Sequence, residues 1–126
     1  MTLERGDVIK VLDPEGRVAL PGHPIVVLLI SGGSALFSNM TDIEKEDDVP
    51  CVLNPQDDPS FIEKRSTFRY QNIREQPVAT LELAIKEKKL AYCGKLAPAA
   101  LEKILAGVNL SRLIKPKYRT KLQGPV

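Results

Sequence analysis

Six consecutive apolar residues, Ile25-Val26-Val27-Leu28-Leu29-Ile30, lie between Pro24 and the pair Gly32-Gly33, and they constrain this chain more than any other feature. The run is far short of the roughly 20 residues that cross a bilayer. It is also too continuous for a strand with one wet face, where apolar and polar residues alternate. A β-branched run bounded by breakers is the pattern of a strand covered on both faces, so the chain must supply a layer for each side. At 126 residues the chain is expected to form one domain, and about two-thirds of its unfolded surface can then be buried. Ten prolines and eight glycines favour many turns and short elements over a helical bundle.

Strand patterns fill the first half. Residues 6–12 carry Val8, Ile9, Val11 and Leu12 and run into the turn signal Asp13-Pro14-Glu15-Gly16. A short return over 17–20 and a break at Pro21-Gly22-His23-Pro24 precede the apolar strand, and residues 34–40 return from the Gly-Gly turn. A short strand is expected at 49–53, a loop at 54–60, and a strand over 61–73 with Phe68 and Tyr70 alternating against Thr67, Arg69 and Gln71. The period then changes. Residues 80–88 predict a helix with Thr80 as N-cap, residues 90–96 a strand, and residues 98–108 a helix with Leu101, Ile104, Leu105 and Val108 on one face. The expected fold class is mainly β within α+β: a small barrel with one or two short helices and a C-terminal helix. Its domain spans 1–108, and 109–126 is a basic C-terminal tail.

The formal charge of +2 is too near neutral to announce nucleic acid, yet its distribution is uneven. Asp42, Glu44, Glu46, Asp47, Asp48, Asp57 and Asp58 face only Lys45 between residues 42 and 58, whereas the tail holds Arg112, Lys115, Lys117, Arg119 and Lys121 and no acid. Binding of a polyanion must therefore be local. Cys51 and Cys93 form no CxxC pair and accompany a single histidine, so no zinc site can be assembled and both read as buried free thiols. No metal and no cofactor are expected. The opening Met-Thr-Leu-Glu-Arg-Gly-Asp has no apolar core of a secretory signal, which makes the cytoplasm the expected compartment, with no membrane partner.

Arg5-Gly6-Asp7-Val8, followed by Pro24 and Ile25-Val26-Val27-Leu28, resembles the MazF/PemK toxins, in which a glycine-aspartate strand and an "RPxVVL"-like strand frame the active groove. Met40-Thr41 is similar to the threonine that closes the next strand of that family. Asn72-Ile73-Arg74 resembles its "QIR" segment, and Gly94-Lys95-Leu96 through Ile104 its "GxLxxxxLxxI" strand and helix. The resemblance covers residues 5–108. It implies a compact SH3-like barrel, a homodimer, metal-independent cleavage of single-stranded RNA, and a cognate antitoxin protein as partner.

Such cleavage needs a base for the 2′-hydroxyl proton, an acid for the leaving oxygen and a cation at the crowded phosphate. The family's arginine before the proline falls on His23 here. On this reading His23, a residue type that exchanges protons near neutral pH, is the acid or base. Arg74 stabilises the scissile phosphate and Thr41 contacts it. Arg65 and Arg69 hold the flanking backbone, with Tyr70 beside them to stack a base. Each has a plainer reading: His23 as a turn residue, Thr41 as a hydroxyl satisfying a turn, Arg74 as an exposed pair with Glu75, and the basic stretch of Lys64, Arg65 and Arg69 with Phe68 and Tyr70 as an ordinary half-buried strand. The alternative function is a non-catalytic SH3-like module that recognises a protein or RNA partner. The acidic stretch 42–58 is expected either to lie away from an RNA groove or to occupy it in cis.

Overall fold

The structure, a computed structural model, describes residues 2–19 and 23–124. Its centre is an antiparallel set of three strands, β1 (Asp7–Val11), β2 (Ile25–Ser31) and β3 (Ser34–Asp42). Gly32 and Gly33 join β2 to β3 with φ of +59° and +78°, the mirror-image turn that a two-residue hairpin needs and that glycine adopts freely. A strand β4 (Ser66–Phe68) and a strand β5 (Arg74–Pro77) share the outer edge of β3, and β6 (Leu90–Lys95) lies on the far edge of β1. The domain is α+β, with a six-stranded antiparallel sheet and, among the described residues, three α-helices: α1 (Val78–Lys86), α2 (Pro98–Gly107) and α3 (Pro116–Gln123).

The central strand is covered on both faces, as its apolar run requires. Val26 and Leu28 point into one cluster with Val8, Leu36, Met40 and Phe68, closed by Ala100 and Ile104 from α2, by Val108 just after it, and by Ile114 and Tyr118. Val27 points the other way, with Leu3, Ala35 and Leu81 of α1. A register irregularity between Val27 and Leu29 breaks the strict alternation, and Leu29 also packs on the first cluster.

Several elements differ from the sequence reading for identifiable reasons. The strand expected over 61–73 is only β4 followed by a 3-10 turn at Tyr70–Asn72, and the strand at 49–53 reduces to a bridge between Leu53 and Ser66. β5 has four exposed residues and hence no apolar alternation. It exists because its backbone pairs with β3, Phe37 opposite Arg74. α1 begins two residues before Thr80, because the carbonyl of Gly33 accepts the Val78 N–H at 2.9 Å, a role the sequence reading gave to a hydroxyl cap. Residues 17–20 contribute a bridge between Val18 and Leu12, while Leu20 and the Pro21-Gly22 part of the expected break lie outside the described residues.

The stretch expected as a basic tail folds against the core. Ile114 and Tyr118 are buried, and Arg119 turns inward to donate to the backbone carbonyls of Val108 and Ser111. α2 also presents a different face from the one its leucines suggest, with Ala100, Ile104 and Gly107 buried and Leu101 and Leu105 half-buried. The reason is Tyr70. Its hydroxyl donates to the Ile104 carbonyl at 2.6 Å, and its ring meets Phe68 edge-to-face with centroids 5.2 Å apart. A β-carbon at Gly107 would fall within van der Waals distance of the Tyr70 hydroxyl.

Gly107→Ala should therefore cost about 1–3 kcal/mol through overpacking, and Tyr70→Phe about 1–3 kcal/mol through the unpaired Ile104 carbonyl. Urea melts of the single and double variants test the contact. The double variant should lose clearly less than the sum, and strict additivity would contradict the crowding.

Candidate functional site

The strand register brings three residues to one end of the sheet. Ile9 pairs with Ile25, so Lys10 on β1 lies across from Pro24. On the other side of β2, the Met40 N–H donates to the Pro24 carbonyl at 3.0 Å, which seats Thr41 beside His23. His23 thus lies level with Thr41 and one residue beyond the partner of Lys10, at one end of the sheet. A cleft of about 310 Å³ opens there, lined by these three residues and walled opposite by Phe61, Lys64 and Ser66. Thr41 is 6% exposed and held by pairing with Thr67 of β4, whereas His23 and Lys10 are half-buried. Asp42 and Glu63 also border the cleft. It thus offers an imidazole, two ammonium groups and hydroxyls, with two carboxylates to limit the positive potential.

The remaining sequence candidates separate from this group. Arg74 faces Phe37, four residues along β3 from Thr41 or about 13 Å at the usual rise, and lines a different groove with Lys115. Arg65 is exposed next to Lys64, and its carbonyl accepts the Ile43 N–H. Arg69 has its Nε 2.7 Å from Glu46 Oε1, an ion pair by distance whose N–H is not aligned on the oxygen. Tyr70 cannot stack a base, since it is 1% exposed and its hydroxyl is committed to Ile104. Burial, reinforced by Cys51 at 3.5 Å, pushes its phenol ionisation far upward. Cys51 and Cys93 are free thiols, both half-buried.

Sequence reasoning missed Lys10 and Ser66, and held Lys64 only as part of the basic stretch with Arg65 and Arg69. Lys10 sits in an apolar strand pattern, where a lone lysine reads as its wet edge, and only the register reveals its neighbours. Of the two placements expected for the acidic stretch, its carboxylates at 48, 57 and 58 take the one away from the cleft. Asp58 is buried and accepts from the amides of Ser60 at 3.0 Å and Ala97 at 2.7 Å. Asp48, also buried, accepts from the Ser111 hydroxyl at 2.6 Å. Asp57 accepts from Lys103 and from the Asn54 amide, both at 2.8 Å. These carboxylates hold the fold together and leave the cleft uncovered.

No protein-family model matches the chain, and no curated protein does. The site must be read from its own chemistry. Among the described residues no cluster of three or more His, Cys, Asp or Glu could hold a metal ion, and no helix is long and apolar enough to cross a membrane. A second polar cluster at the start of β1 is structural: buried Asp7 accepts from the Glu4 amide, the Tyr92 hydroxyl and Lys95. Glu4, and then Asp7, raise the Lys95 ammonium above its ordinary value.

The Lys103 hydrogen bond, and then the Asn54 amide, hold the Asp57 carboxyl below its ordinary value. Such a group stabilises the fold at neutral pH and gives that stability up as pH falls through its folded value. Asp57→Asn should therefore destabilise the protein by about 1–3 kcal/mol at pH 7, with the deficit shrinking in urea melts at about pH 3. A deficit independent of pH would rule the charge pair out as the cause.

Proposed function

We propose that this chain is a MazF/PemK-like SH3-type barrel that cleaves single-stranded RNA without a metal, using the cleft between His23 and Lys64. The observation that carries the reading is the convergence of His23, Thr41 and Lys10 at one end of the β1–β2–β3 sheet. The arginine that the family resemblance expects before the proline is missing, and Lys10 supplies a cation from the neighbouring strand in its place.

In this mechanism the His23 imidazole takes the proton of a ribose 2′-hydroxyl, and that oxygen attacks the adjacent phosphorus. The bond from phosphorus to the 5′-oxygen breaks, leaving a 2′,3′-cyclic phosphate, and the departing oxygen takes a proton from water or from the imidazolium. Lys10 neutralises charge growing on the phosphoryl oxygens, and the Thr41 hydroxyl donates to one of them. Lys64 and Arg65 sit where flanking phosphates would pass. The reading carries with it the expectations of a homodimer, a protein antitoxin and a cytoplasmic site of action. A second reading, a binding module without catalysis, draws on Asp42 and Glu63, whose carboxylates at the rim weaken the attraction for a phosphate.

Cleavage of a fluorescent single-stranded RNA in the presence of chelator decides between them. His23→Ala should lower the rate about 10²- to 10⁴-fold, and Lys10→Ala should lower it by about tenfold or more, with 2′,3′-cyclic ends on the wild-type product. Salt-dependent binding by the wild type with no cleavage would favour the module instead.

A further inference from the structure

We infer that the groove between β5 and α3 is a second, separate binding site, one that grips the phosphodiester backbone of single-stranded RNA away from the cleft. The inference rests on the RNA reading above but uses none of the cleft residues. The groove measures about 410 Å³ and is lined by Gln71, Asn72, Arg74, Gln76, Lys115 and Tyr118, with Ile73 at its base. Apart from the buried Ile73 and Tyr118, the side chains named are donors or cations. Glu75 borders the groove as well, but its carboxylate is engaged by Lys121 at 2.8 Å, and among the described residues Arg74 has no ion-pair partner. Lys117 extends the positive surface, with its ammonium 4.9 Å from the centroid of the Tyr118 ring, and Arg112 is exposed on the preceding turn.

This set of groups fits a chain of phosphates better than a peptide or a lipid. A guanidinium can take two phosphate oxygens at once, and neighbouring carboxamides can donate to further oxygens or to base edges. The lining offers no apolar wall for an acyl chain or an aliphatic side chain. The position fits as well. Residues 66–77 run along one edge of β3, so Ser66 in the cleft and Arg74 in the groove lie on the same edge. Arg69 lies between them, paired with Glu46. An RNA long enough to pass from cleft to groove would meet cations at both ends, and the fold thereby turns Arg74 from a catalytic candidate into an anchor for flanking nucleotides.

The test is fluorescence anisotropy with uncleavable 2′-O-methyl RNA of 20 and of 4 nucleotides, over a salt series from about 50 to about 200 mM. The probe pair compares wild type with Arg74→Gln/Lys115→Gln/Lys117→Gln and with the charge control Lys86→Gln/Lys88→Gln. At about 0.7 counterions per phosphate contact, losing three contacts should flatten the salt slope for the 20-mer by about two. Its affinity should drop at least tenfold, while 4-mer binding and the control stay at wild-type values. An unchanged slope, an equal loss in the control, an equal loss for the 4-mer, or no 20-mer binding by wild type would each overturn the site. So would capture of an acidic peptide at the groove that the 20-mer does not displace. Cleavage by wild type with an unchanged slope removes the groove but keeps the nuclease; a flattened slope without any cleavage does the reverse.

Discussion

The buried Asp58 carboxylate, with one oxygen on the Ser60 amide and the other on the Ala97 amide, is the contact on which the functional half of this fold depends. It ties the loop that follows the 3-10 turn at Pro55–Asp57 to the residue that opens α2. Asp48 does the same at the other end of the segment, through Ser111 and the turn leading to α3. Hydrogen bonds to a charged acceptor contribute about 1.5–3 kcal/mol each, and a buried carboxylate without them would be costly. The chain that leaves Asp58 forms the far wall of the cleft, with Phe61, Lys64 and Ser66, and continues into β4. Without that wall His23, Lys10 and Thr41 would lie on the open end of a sheet.

That arrangement changes what the charge distribution means. The acidic stretch looks in the sequence like a competitor for a polyanion, but Asp48, Asp57 and Asp58 point into the protein toward a hydroxyl, an ammonium group and main-chain amides. The basic segment is likewise partly internal, since Arg119 satisfies helix-end carbonyls and Lys121 pairs with Glu75. Of the exposed cations, Lys64 and Arg65 stand with half-buried Lys10 at or beside the cleft, and Arg74, Lys115 and Lys117 at the groove, while Lys86, Lys88 and Lys89 lie on and after α1. A near-neutral sum is thus compatible with two local clusters of cations, the ones on which the proposed phosphate contacts rest.

The layered architecture was legible from Ile25 to Ile30 alone, because a run with no polar alternation demands cover on both faces, and α1 and α2 supply it. The pairing of His23 with Thr41 was legible only through the family resemblance, and the structure brings those two together. β5 was not legible, because Arg74, Glu75, Gln76 and Pro77 bury no side chain and owe their strand to backbone pairing. The burial of Tyr70 was only half legible, because its alternation with Arg69 fits a stacking surface and a half-buried strand alike, and the 3-10 turn after β4 that sets it against Gly107 left no signal. Contacts between distant segments, such as Asp58 with Ala97, leave no local pattern at all. Function concentrates where such contacts decide the geometry, so the site was harder to read than the sheet.

Amide hydrogen exchange on Asp58→Ala tests most directly whether the cleft wall hangs on this carboxylate. Protection should fall at Ser60, Ala97 and the amides of β4, while Val26 to Leu28 in the central strand keep wild-type protection. Unchanged protection along residues 60–68, or a uniform loss that includes the central strand, would contradict the account.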